Sequence, residues 1–94
     1  MNEYRVEVRV TPRAGLLDPQ GKAVHGALHS LEFAEVQDVR IGRLINIQLQ
    51  AASESEAHSR VEAMCRQLLA NPVTEDYEIQ VRAWERGSVN IESV

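Results

Sequence analysis

The chain has 94 residues, 44% of them hydrophobic and 26% charged, with 10 lysines and arginines against 14 acidic residues for a net charge of −4. That length accommodates one domain with a modest core, and so ordinary a composition excludes disorder and low-complexity repeats. A surface built to hold a phosphate backbone reads basic, so the acidic balance argues against nucleic acid as a partner.

The first element reads as a strand. Tyr4, Val6, Val8 and Val10 alternate with Arg5, Glu7 and Arg9, the period of two that sends successive side chains to opposite faces. Pro12 cannot donate to a ladder and ends it, leaving residues 12–15 as a loop. Asp18-Pro19 then opens a helix: the aspartate accepts from the free amides of the first turn, and proline loses nothing at the next position. Val24, Ala27, Leu28 and Leu31 recur at three- and four-residue spacing and define its apolar stripe. His25 and His29 lie four apart on a neighbouring face; with no third ligand nearby in sequence they read as two solvated helix histidines.

Residues 39–41 read as a second strand and residues 44–51 as a third, joined in a hairpin by Gly42-Arg43. In the third, Ile45, Ile47, Leu49 and Ala51 alternate with Leu44, Asn46, Gln48 and Gln50. Uncharged amides desolvate more cheaply than charges, so this second face suits another protein chain as well as it suits water. Ser53 and Glu56 form a capping box before a second helix, whose stripe is Ala57, Val61, Met64, Cys65 and Leu68. Within that stripe Cys65 is a core thiol, not a nucleophile. Asn71-Pro72 ends the helix, with asparagine suited to a left-handed cap. Tyr77, Ile79 and Val81 alternate with Glu78, Gln80 and Arg82 in a last strand.

The order β-α-β-β-α-β predicts a single α+β domain of ferredoxin-like plan over residues 1–82. It should carry a four-stranded antiparallel sheet with both helices on one face and the other face open. Residues 83–94 stand outside the plan as a C-terminal extension, where Trp84, Val89 and Ile91 fit a short strand, an interface arm or a frayed tail equally.

Function must come from the residues, since this plan hosts many unrelated activities. One cysteine excludes an internal disulfide and a thiolate zinc site. No apolar run has the length of a signal peptide or a membrane span, so a soluble cytoplasmic protein without a membrane partner is expected. RNA recognition needs aromatics on the central strands, and none stands there. Arg13 before a helix start, with Asn46 on a strand, suggests the arginine–asparagine pair of a small acylphosphatase. Asp18, however, would repel a phosphate from the helix end that it caps. No Gly-rich phosphate loop and no other acid–base pair is present, so no catalytic, cofactor-binding or metal-binding residue is expected.

Several stretches carry a resemblance. They are Val8-Arg9-Val10-Thr11-Pro12-Arg13-Ala14-Gly15, Leu17-Asp18-Pro19-Gln20-Gly21-Lys22-Ala23-Val24, Val39-Arg40-Ile41-Gly42-Arg43, and Met64-Cys65 with Leu69-Ala70-Asn71-Pro72-Val73 and Glu75-Asp76-Tyr77. In this order and spacing, over residues 3 to 82, the chain resembles the PurS family, small subunits of formylglycinamide ribonucleotide amidotransferase (phosphoribosylformylglycinamidine synthase). The resemblance implies a non-catalytic subunit of a C–N ligase in de novo purine biosynthesis. Such a subunit joins a PurQ-type glutaminase to a PurL-type synthetase, helps ammonia pass between them, and self-assembles as dimers or tetramers through its sheet. ATP, Mg and glutamine belong to the whole complex, and none is implied as a cofactor of this subunit. The alternative is an ACT-like regulatory module, which shares the element order and binds an amino acid between subunits.

The matched motifs put Arg13, Asp18, Arg40, Arg43, Asn71, Glu75 and Tyr77 at element ends, where side chains reach outward, and mark them as partner-contact candidates. Capping accounts for Asp18 and Asn71 equally well. One departure from the family pattern is Leu31-Glu32-Phe33, where the family usually ends helix one on Leu-Gly. A left-handed Glu32 would cost about 1 kcal/mol relative to glycine.

Overall fold

The computed structural model describes residues 1–83. All of the expected extension but Ala83, including Trp84, Val89 and Ile91, lies outside the described residues. Three strands form one antiparallel sheet, in the order β2-β1-β3. They are β1 (Asn2–Pro12), β2 (Arg43–Ala51) and β3 (Glu75–Ala83). The central strand β1 buries Tyr4, Val6, Val8 and Val10 on one face, as the alternation predicts. Val6 faces Ile47 and Val81, and Val8 faces Ile45 and Ile79, so these two core valines each lie in a row of three branched side chains, while Val10 lies between Arg43 and Tyr77. Fully burying a valine is worth about 1.5–3 kcal/mol, which makes these rows the main source of cohesion in so small a domain.

Helix α2 (Glu54–Met64) lies over that face and contributes Ala57 and Val61, both fully buried. Half of its capping box forms as expected, the Glu56 amide donating to Ser53 Oγ at 3.1 Å, while the Glu56 carboxylate accepts from the Ala52 amide at 3.0 Å, one residue before the amide of the N-cap itself. A π-helical turn, Cys65–Leu69, follows. Its extra residue shifts the helical phase, so Leu68, expected in the buried stripe, is 82% exposed, while Leu69 and Ala70 pack on the core instead.

Two corrections concern the first half of the chain. Residues 39–41 form no strand, so the sheet has three strands among the described residues and not the expected four. The segment is held by side chains: the Ile41 amide donates to Asp18 Oδ2 at 2.9 Å, and Arg40 Nη1 donates to the Pro12 carbonyl at 2.8 Å. Gly21 and Gly42 allow the close approach this requires. A Cβ at Gly21 would collide with the Val39 carbonyl oxygen, and one at Gly42 with that of Val10.

The second correction is that only α2 and the π turn pack on the sheet; α1 (Pro19–Ser30) stands off it. Gly21 is its one buried residue among those described, and its stripe residues Val24 and Leu31 are exposed. Ile45, Ile47, Leu49, Ile79 and Val81 are consequently only part-buried.

Helix α1 ends in a Schellman motif. The Phe33 amide donates to the Leu28 carbonyl at 3.0 Å and the Glu32 amide to that of His29 at 3.0 Å. Glu32 takes the left-handed position, at φ 73°. Replacing Glu32 with glycine should therefore raise stability by about 1 kcal/mol in urea denaturation. An unchanged or lower midpoint would show that the cap carries no such strain.

Candidate functional site

The strand register gathers four of the seven candidate residues at one end of the sheet. Arg43 begins β2 opposite Val10, in the last core row, and Glu75 begins β3 opposite Pro12, one row further, so both share the apolar face where the core ends. Adjacent strands lie about 4.8 Å apart, so a long side chain is needed to span from one edge strand to the other across β1. Arg43 supplies it. Its Nη1 and Nη2 donate to Glu75 Oε2 and Oε1 at 2.7 and 2.9 Å, a bidentate pair, and Nη2 also donates to the Leu69 carbonyl at 2.6 Å.

Glu75 Oε1 accepts a further bond from the Asn71 amide at 2.8 Å. The Arg43 guanidinium, followed by that amide, holds the Glu75 carboxyl down at about 2 against its ordinary 4.5. Arg43 is raised reciprocally by its bond to Glu75. Asn71 does not cap in the left-handed conformation; its Oδ1 accepts from the Val73 amide at 2.9 Å, closing an Asx turn.

Arg13 fastens the same turn from outside. Its Nε donates to Asp76 Oδ1 at 3.1 Å, Nη1 to the Val73 carbonyl at 3.1 Å, and Nη2 to the carbonyls of Pro72 and Glu75 at 3.0 and 3.3 Å. Its own amide donates to the Thr74 carbonyl at 2.8 Å. This guanidinium is occupied by turn carbonyls, and Asn46 stands exposed on β2 beside Glu7 of β1. No phosphate cradle of the acylphosphatase kind results.

Asp18 and Arg40 form a separate cluster. Asp18 Oδ1 accepts from the Gly21 amide at 3.1 Å, the N-cap expected of it, while Oδ2 takes the Ile41 amide. The bond from Ile41, then that from Gly21, lowers its pKa. Arg40 reaches Asp38 at 3.5 Å as well as Pro12. Tyr77 joins neither cluster and packs part-buried against the core. Cys65 is fully buried, and desolvation raises its pKa, so it is the inert core thiol expected.

Two features escaped the sequence reading. Leu68 and Val73, 82% and 72% exposed, flank the fastened turn and give it an apolar rim. The open sheet face is also less amide-rich than β2 alone suggests, because Arg5, Glu7 and Arg9 of β1 run down its centre.

Comparison with known proteins places this arrangement. Residues 5–83 match the family model described as PurS, phosphoribosylformylglycinamidine (FGAM) synthase. The chain belongs to the PurS family. A PurS subunit of that synthase from Bacillus subtilis (strain 168) is 46% identical over 78 residues, which are 83% of this chain and 92% of the relative. The crystal structure of Methanocaldococcus jannaschii PurS superposes with a TM-score of 0.77 at 38% identity, over 87% of this chain and 99% of that one. A chain in the structure of PurLQS from Thermotoga maritima gives 0.79 at 28% identity, over 87% of this chain and all of the other. The match to the PurS model takes in all seven candidate residues and both clusters.

Because the Glu75 carboxyl is depressed in the folded state, its contribution is complete above pH about 4.5 and lost as pH falls toward about 2. Glu75→Gln should lower stability at neutral pH and flatten the acid limb, measured as urea midpoints between pH 7 and pH 2. Parallel limbs for the two proteins would show that the pair contributes nothing.

Proposed function

We propose that this chain is the small, non-catalytic subunit of a phosphoribosylformylglycinamidine synthase in purine biosynthesis, acting in the cytoplasm within a complex with PurL-type synthetase and PurQ-type glutaminase subunits. The observation that carries the reading is the family match over residues 5–83, together with the fit to a chain of PurLQS from Thermotoga maritima. The match favours it over an ACT-type module. In this reading ATP, Mg and glutamine are handled by the larger subunits, and this chain bridges them and assists ammonia transfer. The fastened turn at 69–76, with its Leu68 and Val73 rim, is the surface offered to those subunits. Arg13, Arg43, Asn71 and Glu75 act by holding its shape. Arg40, Asp18 and Tyr77 would serve the neighbouring contact region.

The subunit also self-associates in this reading. One copy leaves Ile45, Ile47, Leu49, Ile79 and Val81 half-covered and the stripe of α1 exposed, an apolar surface that a second copy would bury. Light scattering after gel filtration should give two or more copies per particle, and a monomer at every concentration would contradict this.

Gel filtration with the PurL- and PurQ-type subunits, in glutamine and nucleotide, tests the assignment. The chain should co-elute with both. Arg40→Glu replaces a part-exposed side chain that lies outside the core and bonds the Pro12 carbonyl and Asp38, and it should weaken co-elution at least about fivefold while the far-UV spectrum is unchanged. Undiminished co-elution would remove Arg40 from the interface, and no co-elution of the unmodified chain would overturn the assignment.

A further inference from the structure

His25 and His29 do not fan out into solvent as independent helix histidines. One turn apart on α1, both imidazoles converge on a single backbone oxygen: their Nε2 atoms lie 3.2 and 2.7 Å from the Val36 carbonyl. The ring centroids are 4.5 Å apart at an interplanar angle of 47°. Without metal, each neutral ring can present Nε2–H to that carbonyl, whose two lone pairs accept both.

We propose that Nε2 of His25, Nε2 of His29 and the carbonyl oxygen of Val36 form one face of a binding site for a divalent late transition metal of the Zn2+ or Ni2+ class. In octahedral coordination, which Ni2+ adopts readily and Zn2+ accepts when waters fill its other positions, donor atoms at about 2.1 Å from the ion and at right angles to one another lie about 3.0 Å apart, and the two observed edges bracket that value. Spacing of i and i+4 is what brings two helical imidazoles to one ion. The third donor, missing from the sequence reading, comes from the loop after the Schellman turn and is a backbone atom, invisible to any search for ligating side chains. Moving the ring proton from Nε2 to Nδ1 through solvent frees the ligating lone pair, so neutral rings bind without net proton release. Waters complete the coordination. Imidazole donors favour Zn2+, Ni2+ and Cu2+ over Mg2+ and Ca2+. The shallow depression beside His25 is lined by Asp18, Lys22, Asp38 and Arg40, two carboxylates against two cations, so its charge does not oppose the ion. Bound metal would pin the 36 loop to α1, the helix that its own sheet leaves unsupported.

The test is calorimetric titration of the full chain, stripped with chelator, with ZnCl2 and separately with MgCl2. Nitrogen NMR of the imidazoles accompanies it. One saturable Zn2+ site per chain is expected, with no Mg2+ binding. His25→Gln and His29→Gln should each weaken it about tenfold or more, and His58→Gln, on α2, should not change it. Zn2+ should shift the Nε2 resonances of His25 and His29 and leave those of His58 in place. Absence of saturable Zn2+ binding, binding that survives the double His25→Gln, His29→Gln variant, or equal dependence on His58 would each overturn the site. The spectrum of each variant, compared with that of the unmodified chain, separates loss of ligand from loss of fold.

Discussion

The bidentate pair between Arg43 and Glu75 is the constraint on which the rest of the structure turns. It sits where the hydrophobic rows of the sheet run out, spanning the row of Val10 and the one beyond it, and it joins two edge strands that never touch each other. The two strands are antiparallel to β1 and so parallel to one another, linked by α2 passing over the core. In such a crossover the return segment must be told where to begin its strand. Here Glu75 does so by accepting at once from Arg43 and from the Asn71 amide, while Arg13 takes up the outward carbonyls of the same turn. An exposed ion pair alone contributes little to stability. This one is bidentate and shares its atoms with the Leu69 carbonyl and the Asn71 amide, which places its value in fixing the turn.

A second consequence follows from what the sheet does not do. Its apolar face receives α2 and the π turn but not α1, so the branched residues of β2 and β3 are left half-covered. A 94-residue chain has little apolar surface to spare, and leaving this much uncovered suits a subunit completed by other chains. PurS membership gives that incompleteness a purpose. The fastened turn supplies a rigid feature at one end, and the uncovered face supplies area.

Much of this was legible in the residues. The alternation in β1, β2 and β3, the Asp18 N-cap and the Ser53 cap follow from local chemistry and are present, whereas the left-handed position of Glu32 was suggested only by the glycine that the family usually carries there. The family resemblance, too, rested on motifs that the match over residues 5–83 contains. The failures have two causes, competition from a distant group and a local shift of helical phase. Val39 to Ile41 have strand-like residues, but their backbone is claimed by Asp18, a residue more than twenty positions earlier. Leu68 has the right spacing for a buried stripe, and the π turn rotates it outward. The network at 69–76 was readable only in part. Arg43 and Glu75 share the phase of the core residues on their strands, an oddity that marks charges meeting at the end of a core, yet nothing local says that they meet each other.

If the Arg43–Glu75 pair and the Arg13 clamp fix this turn, the amides they secure must be protected like the core. Native-state hydrogen exchange at Arg13, Asn71 and Glu75, whose amides are bonded to Thr74, Glu75 and Asn71, measures this directly. The account predicts protection approaching that of the β1 amides at Val6 and Val8, and its loss at all three positions in Glu75→Gln. Exchange at these positions as fast as in an open surface loop would contradict it.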